Sequence, residues 1–220
     1  MKIDLHCHTY FSNDGISSPE KIIKQALLKG LDGVAITDHE TSAGWAEAQK
    51  AGQKLGAQII LGEEIKTKQG DVLAIFIQQQ INGKGKDARL VINEIKKQGG
   101  LAIIPHPYQG HEKFKDDLKN YLDIIDGLEV FNARLPFRSA DQKAFQFAKQ
   151  HNLAMTAGSD AHFYKGAGEA YTECQAKTLE EFKNELKNKK SATGGKKASL
   201  FYLIFPTLKR LKIINSRPNR

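Results

Sequence analysis

The sequence predicts an α/β fold, a distorted seven-stranded (β/α)7 barrel, and three observations predict it. Seven short β-rich runs lie between Ile3 and Ser159, most of them separated by helical patterns, which is the alternation of a mainly parallel sheet. Several runs are apolar on both faces, Gly33-Val34-Ala35-Ile36 and Leu101-Ala102-Ile103-Ile104 among them, as strands buried on either side must be. The 220 residues suffice for one substantial core, and 40% hydrophobic with 26% charged content describes an ordinary globular domain.

The first run, 3–8, closes on His6-Cys7-His8. A helix over 19–29 follows, with Ser18 as its cap, Pro19 at the first helical position and Gly30 past its end. The run 33–38 is the second strand and 42–55 the second helix, with apolar residues recurring at three and four. Runs 58–65 and 71–77 stand too close for a helix between them and read as a hairpin. Helix 87–97, strand 101–105, helix 114–122, strand 127–131, helix 140–150, strand 154–159 and helix 179–187 complete the pattern. The barrel domain is thereby placed at 1–190, with 191–220 a basic, partly apolar C-terminal extension. In it Thr193-Gly194-Gly195-Lys196-Lys197 reads as a flexible linker, and 200–214 as a segment that docks on the barrel or as an exposed amphipathic stretch.

The net charge of +8 suggests a nucleic-acid footprint until its distribution is read. From Lys183 to Arg220 there are eleven Lys or Arg against the single acid Glu185, which leaves −2 for the other 182 residues. Only this tail argues for contact with a polyanion such as nucleic acid. Two cysteines, Cys7 and Cys174, make no disulfide framework, and the charged start Lys2, Asp4, His6, His8 lacks a secretion signal, so the expected compartment is the cytoplasm.

Candidate metal ligands fall at the ends of the predicted strands. His6 and His8 close the first, Asp38 and His39 the second, Glu63 and Glu64 the third, His106 the fifth, and Asp160 with His162 the seventh. In a β/α barrel those ends share one face, where active sites form. Residues two apart on a strand face the same way, so His6 and His8 can chelate one cation, with Asp4 one layer deeper as a supporting carboxylate. Five of the seven histidines end strands; His111, in a loop, and His151, after a helix, read as structural. By the alternation of strand faces, Asp38 and Glu63 are orienting or surface carboxylates, whereas Glu64 could bridge two ions. A mixed imidazole and oxygen set suits Zn, Mn or Fe better than calcium.

The motifs Asp4-Leu5-His6-Cys7-His8-Thr9, Asp14, Thr37-Asp38-His39, Gly62-Glu63-Glu64-Ile65, His106-Pro107 and Gly158-Ser159-Asp160-Ala161-His162 resemble the PHP family, named for polymerase and histidinol phosphatase. The resemblance spans about residues 1–190 and implies a distorted seven-stranded, TIM-like barrel holding two or three divalent ions. It implies that His6, His8, Glu64 and Asp160 hold one ion, that Asp14, His39 and His162 hold another, and that Glu64 bridges to a further ion at His106. The sequence departs from the family where many members carry another histidine, because Asp71-Val72-Leu73-Ala74 has none; Asp71 is the available substitute.

The expected activity is that of a metal-dependent phosphoesterase, a hydrolase of a phosphomonoester or nucleotide through a metal-bound hydroxide, with His6, His8, Glu64, Asp160 and Arg134 as the catalytic set. Asn132 and Arg134, just past the sixth strand, are the expected substrate-binding pair, a donor and a guanidinium fork for phosphate oxygens, with Arg138 and Lys165 in reserve. Three other readings stay open: an exonuclease-like activity on nucleic-acid ends, an amidohydrolase, and a non-catalytic module that keeps metals for stability.

Overall fold

The computed structural model describes residues 1–109, 113–136 and 138–214, so that His111 lies outside the described residues. Strands β1 (Lys2–Cys7), β2 (Gly33–Ile36), β3 (Gln58–Lys66), β4 (Asp71–Ile75), β5 (Leu101–Ile104), β6 (Gly127–Asn132), β7 (Ala154–Gly158), β8 (Ala170–Glu173) and β9 (Ala192–Gly195) form one sheet. Its order is β7-β6-β5-β4-β3-β2-β1-β8-β9. Strands β1, β2 and β3 run parallel, as do β5, β6 and β7, while β4 is antiparallel to both its neighbours. The close runs 58–65 and 71–77 are therefore a hairpin, as read.

The sheet curls until the chain just past β7 meets the end of β1. Asp160 N donates to His6 O at 2.7 Å, and His8 N to Ala161 O at 3.0 Å, which nearly closes a barrel. Gly158 permits that approach: a Cβ there would sit 2.3 Å from His6 Cβ.

Helices α1 (Pro19–Leu28), α2 (Trp45–Leu55), α3 (Ala88–Lys97) and α4 (Arg138–Gln150) bury their apolar stripes in one core. The predicted cap of α1 is present, Ser18 accepting from Lys21 N at 3.3 Å. In α3, Asp87 caps the start, and Ala88, Val91, Ile92 and Ile95, spaced for one face, are buried. A second cluster gathers Ile3, Leu5, Ile60, Leu73 and Ile103 with Phe182 and Leu186 of α5 (Leu179–Lys187). Each such side chain, fully buried, contributes about 1.5–3 kcal/mol.

Two expectations are corrected. The helix expected over 114–122 is only a 3-10 turn at Leu118–Tyr121, because Asp116 and Asp117 turn their carboxylates onto the backbone N–H groups of Asp117 and Lys119. Strands β8 and β9 bring the count from the expected seven to nine, and β9 is formed from residues read as linker. Glycine is required there by packing: a Cβ on Gly194 would lie 2.5 Å from the Tyr171 ring. Beyond β9 the chain continues through a 3-10 turn, Leu200–Leu203, into α6 (Ile204–Arg210), which packs against the barrel rather than standing free. Among the described residues, no helix is long and apolar enough to cross a membrane.

Candidate metal centre

The predicted ligands come together at one rim of the barrel. His6 lies in β1 with His8 just after it, His39 follows β2, Glu64 lies in β3, His106 follows β5, and Asp160 with His162 follow β7. Asp14 is carried by the loop between β1 and α1. Two of these residues have left-handed backbones, His106 at φ 30° and Asp160 at φ 52°. For residues with a Cβ that conformation costs about 1–3 kcal/mol, a strain that clusters at functional sites.

Glu64 is the hub. Its Oε2 lies 3.2 Å from His6 Nε2, 3.2 Å from His8 Nε2 and 3.1 Å from His39 Nδ1, and its Oε1 lies 3.1 Å from His106 Nε2. To one side, Asp160 Oδ1 stands 3.4 Å from His8 Nε2 and 3.4 Å from His162 Nδ1. On the far side of that imidazole, His162 Nε2 is 3.2 Å from Asp14 Oδ1. Among the described residues, four sets of ligand atoms are close enough to share a cation: His8, His39 and His162; His6, His8 and Asp160; His6, His106 and Glu129; and Glu64, Asp71 and His106.

The donor set fits divalent cations. His8 Nε2, His162 Nε2 and Asp14 Oδ1 are buried without a hydrogen bond, although each has an oppositely polarised atom 3.2–3.4 Å away. Atoms so placed aim at a common third body rather than at one another. The remaining ring nitrogens are engaged so as to leave these free: His162 Nδ1 donates to Asp160 O at 3.0 Å, and His8 Nδ1 meets Ser12 Oγ at 3.3 Å.

Charge is balanced within the cluster. Burial by itself would raise Glu64 and Asp160, yet both are held well below the usual carboxylate range, Glu64 by His6 and His39 and Asp160 by Arg134 and His6. Burial pushes His162 down to about 4, aided by Arg134 and His8. A neutral imidazole with its lone pair free is the form that ligates a metal.

Sequence reasoning missed Glu129. Its Oε1 lies 3.0 Å from His6 Nδ1, and its Oε2 accepts from His106 N at 2.9 Å and Asn132 Nδ2 at 3.0 Å. The available signal was an acid in the otherwise apolar run Leu128 to Phe131. Asn132 is itself fully buried, its amide donating to Glu129 and to Asp160 Oδ2 at 3.2 Å while its Oδ1 accepts from Arg134 N at 3.0 Å. Arg134 reaches Asp160 Oδ1 at 3.4 Å, whereas Arg138 and Lys165 are exposed. Asp71, whose register the sequence left open, lies opposite Lys66 in the hairpin and beside Glu64 and His106.

Asp38 is an orienting carboxylate as read, accepting from Thr9 N at 2.6 Å and Thr9 Oγ1 at 2.7 Å. Asp4 ties backbone to backbone instead of touching an imidazole, accepting from Ser159 N and Gly168 N, both at 2.8 Å. His151 packs on Phe147, with ring centroids 4.4 Å apart and planes tilted by 43°, just past the end of α4.

Glu63 is not at the surface: it is buried, with Oε2 accepting from Ile81 N at 3.0 Å and Oε1 unbonded. Burial lifts its pKa from 4.5 to about 7. A carboxyl raised in the folded state contributes stability that is complete below its unfolded value and lost as pH rises toward 7. Glu63→Gln should therefore match the native protein near pH 4.5 and exceed it by roughly 1–3 kcal/mol near pH 8 in denaturant melts at fixed metal concentration. Equal stabilities at both pH values would show that Glu63 carries its charge without penalty.

Residues 4–187 match the family model of the PHP domain. An uncharacterised protein of Methanocaldococcus jannaschii is 41% identical over 143 residues, covering 60% of this chain and 82% of its own length. A 5'-3' exoribonuclease of Haemophilus influenzae is 31% identical over 130 residues, 52% of this chain and 46% of that protein. Among solved structures, a two-domain protein of Bacteroides vulgatus containing a predicted PHP-like metal-dependent phosphoesterase superposes with a TM-score of 0.77 at 23% identity, over 89% of this chain and 65% of that one. The chain thus spans less than two thirds of the exoribonuclease and of the Bacteroides protein.

Proposed function

The chain belongs to the PHP domain family, and from that premise we propose that it is a metal-dependent hydrolase of phosphate esters acting on a phosphomonoester or nucleotide. The observation that carries this reading is the single carboxylate of Glu64 within 3.1–3.2 Å of four imidazoles, those of His6, His8, His39 and His106. One side chain offering two oxygens to four imidazoles is the arrangement of a bridging ligand.

In this reading His6, His8, Glu64 and Asp160 hold one divalent ion; Asp14, His39 and His162 hold a second; and Glu64, His106 and Asp71 hold a third. Zn, Mn or Fe suits such a mixture of nitrogen and oxygen donors. Bound there, the ions supply a hydroxide near neutral pH and a Lewis acid for the phosphoryl oxygens.

The chain's own residues arrange the rest. Glu129 accepts the Nδ1 proton of His6 and so fixes the tautomer that turns Nε2 toward Glu64. Asn132, with its amide spent on Glu129 and Asp160, positions those carboxylates, and substrate binding passes to Arg134, whose side chain is 20% exposed. In this reading all the metal ligands lie within residues 1–190, on a barrel that β9 and α6 extend, and the compartment is the cytoplasm, in keeping with two buried, unpaired cysteines.

Steady-state hydrolysis tests the proposal. Protein loaded with manganese or zinc should release phosphate from some member of a panel of phosphomonoesters and nucleotides, and inactivity across the panel at full metal occupancy would refute it. The basic tail supports a second reading, activity on nucleic-acid ends. Replacing the exposed Lys189, Lys190 and Lys196 by Gln would then weaken DNA or RNA binding and flatten its salt dependence.

The third ion has its own test. Asp71→Asn should lower the metal content by one ion per chain, read by plasma mass spectrometry, and leave the other two in place. Unchanged stoichiometry would remove Asp71 from the ligand set.

A further inference from the structure

The segment after β9 does not trail away from the site. Ala198 N donates to Ala133 O at 2.8 Å and Lys197 Nζ to Asn132 O at 2.7 Å, which ties it to the end of β6. The Phe205 ring then lies 4.2 Å from that of Phe163, the residue after His162. At the end of α6 the ammonium of Lys209 donates to Tyr10 O at 3.1 Å, Ser12 O at 2.7 Å and Gly15 O at 2.5 Å, all on the loop that carries Asp14. Three carbonyls around a group with three donors and no acceptor make a fitted socket.

The next residue, Arg210, places its NH2 2.6 Å from Asp14 Oδ2. The other oxygen, Asp14 Oδ1, has no hydrogen bond and faces His162 Nε2, which leaves it open to a cation, while Oδ2, held by Arg210, lies 3.7 Å from His39 Nε2. Arg134 holds the equivalent place across the His162 ring, on Asp160 Oδ1 at 3.4 Å. Two guanidinium groups thus stand on the carboxylates that flank one imidazole, and both reach solvent, with side chains 55% and 20% exposed for Arg210 and Arg134. A guanidinium carries five N–H donors, so the contact with Asp14 leaves donors to spare.

Resting on the phosphoesterase reading, we propose that α6 is a wall of the catalytic site and that Arg210 is a substrate-binding residue, the second guanidinium of a phosphate clamp whose first is Arg134. Lys209 is its positioning residue. Buried carboxylates at this rim repel an anion, and two forks from opposite sides offset that repulsion while matching the non-bridging oxygens. Such a clamp selects a terminal phosphate, with three non-bridging oxygens, over an internal diester, with two.

The test uses the full-length, manganese-loaded protein and inorganic phosphate as the probe. Arg210→Ala should weaken phosphate binding in calorimetry by about 10–100-fold, the loss expected for a charge-assisted hydrogen bond, with the metal content unchanged. Arg210→Lys should recover part of the affinity, and Lys209→Ala should weaken phosphate binding although Arg210 is present. With 4-nitrophenyl phosphate as substrate KM should rise, while hydrolysis of bis(4-nitrophenyl) phosphate should change less. Unchanged phosphate affinity in Arg210→Ala overturns the proposal, as does a native protein that binds no phosphate, or a variant that gains metal and phosphate because the helix was only a plug. If the native protein hydrolyses no ester yet loses phosphate affinity in Arg210→Ala, the clamp stands and the phosphoesterase reading fails. An active enzyme whose phosphate affinity ignores Arg210 keeps the phosphoesterase reading and removes the clamp.

Discussion

Glu64→Gln is expected to yield a folded barrel that has lost its bound metal and at least ~10³-fold of its turnover. The substitution keeps the shape and removes the charge that His6, His8 and His39 share at one oxygen and His106 meets at the other. An amide puts an N–H₂ where a second acceptor is needed, so one of the two faces of the hub must be lost. Breaking a buried ion pair costs about 3–5 kcal/mol and the stabilisation by the ions is lost with it, so the variant should fold at low temperature and melt well below the native protein. Removing a group that merely orients a ligand already costs about 10–100-fold in metal affinity, so removing the bridge should cost more. Metal-to-protein ratio, far-ultraviolet circular dichroism and phosphate release, measured on one preparation, separate the effects. A variant that keeps its metal and its turnover would show that Glu64 only neutralises its neighbours.

The sequence marked this candidate centre because ligand-type residues at the ends of buried strands leave a local signature: an apolar run, then His-x-His, Asp-His or Ser-Asp-x-His. The groups that position those ligands leave a weaker one. Glu129 sits inside an apolar strand with no turn or histidine beside it, and only its partners, His6 123 residues away and His106 23 residues away, reveal its role. Strand β9 was illegible for a different reason, since its two glycines carry the composition of a linker and are there because Tyr171 fills the space over Gly194 and the Glu169 carbonyl that over Gly195. The position of Asp71 needed the register of the β3–β4 hairpin, which a one-residue slip would have turned to the opposite face. Lys209 and Arg210 look like part of a solvated basic tail until three carbonyls and one carboxylate are seen to hold them.

Chelation should lower the melting temperature by ~10 °C or more and introduce a loss of stability with rising pH between about pH 6.5 and 9. An ion present at one hundred times its dissociation constant stabilises the fold by about 2.7 kcal/mol per site, so two or three ions contribute roughly 5–8 kcal/mol. In a chain of this size each kcal/mol moves the midpoint by about 2–4 °C. With the ions withdrawn, imidazoles and carboxylates neutralise one another. Burial pushes His8 and His106 down, but Asp160 and Glu64 around His8, and Glu64 and Glu129 around His106, raise both to about 9 from 6.5. A raised histidine contributes stability that is complete below its unfolded value and is lost as pH climbs through the folded one. His162, held at about 4, has the opposite sign and loses its contribution as pH falls from 6.5 toward 4. The chelated protein should therefore be most stable near pH 6.5 and weaken toward 9. The loaded protein should stay level over the same interval, because its imidazoles hold metal in the deprotonated form and the unfolded chain carries no imidazole protons above about 6.5 either. Thermal melts across that interval, with manganese and with chelator, measure both slopes; curves that stay parallel would mean that these imidazoles never face a cation.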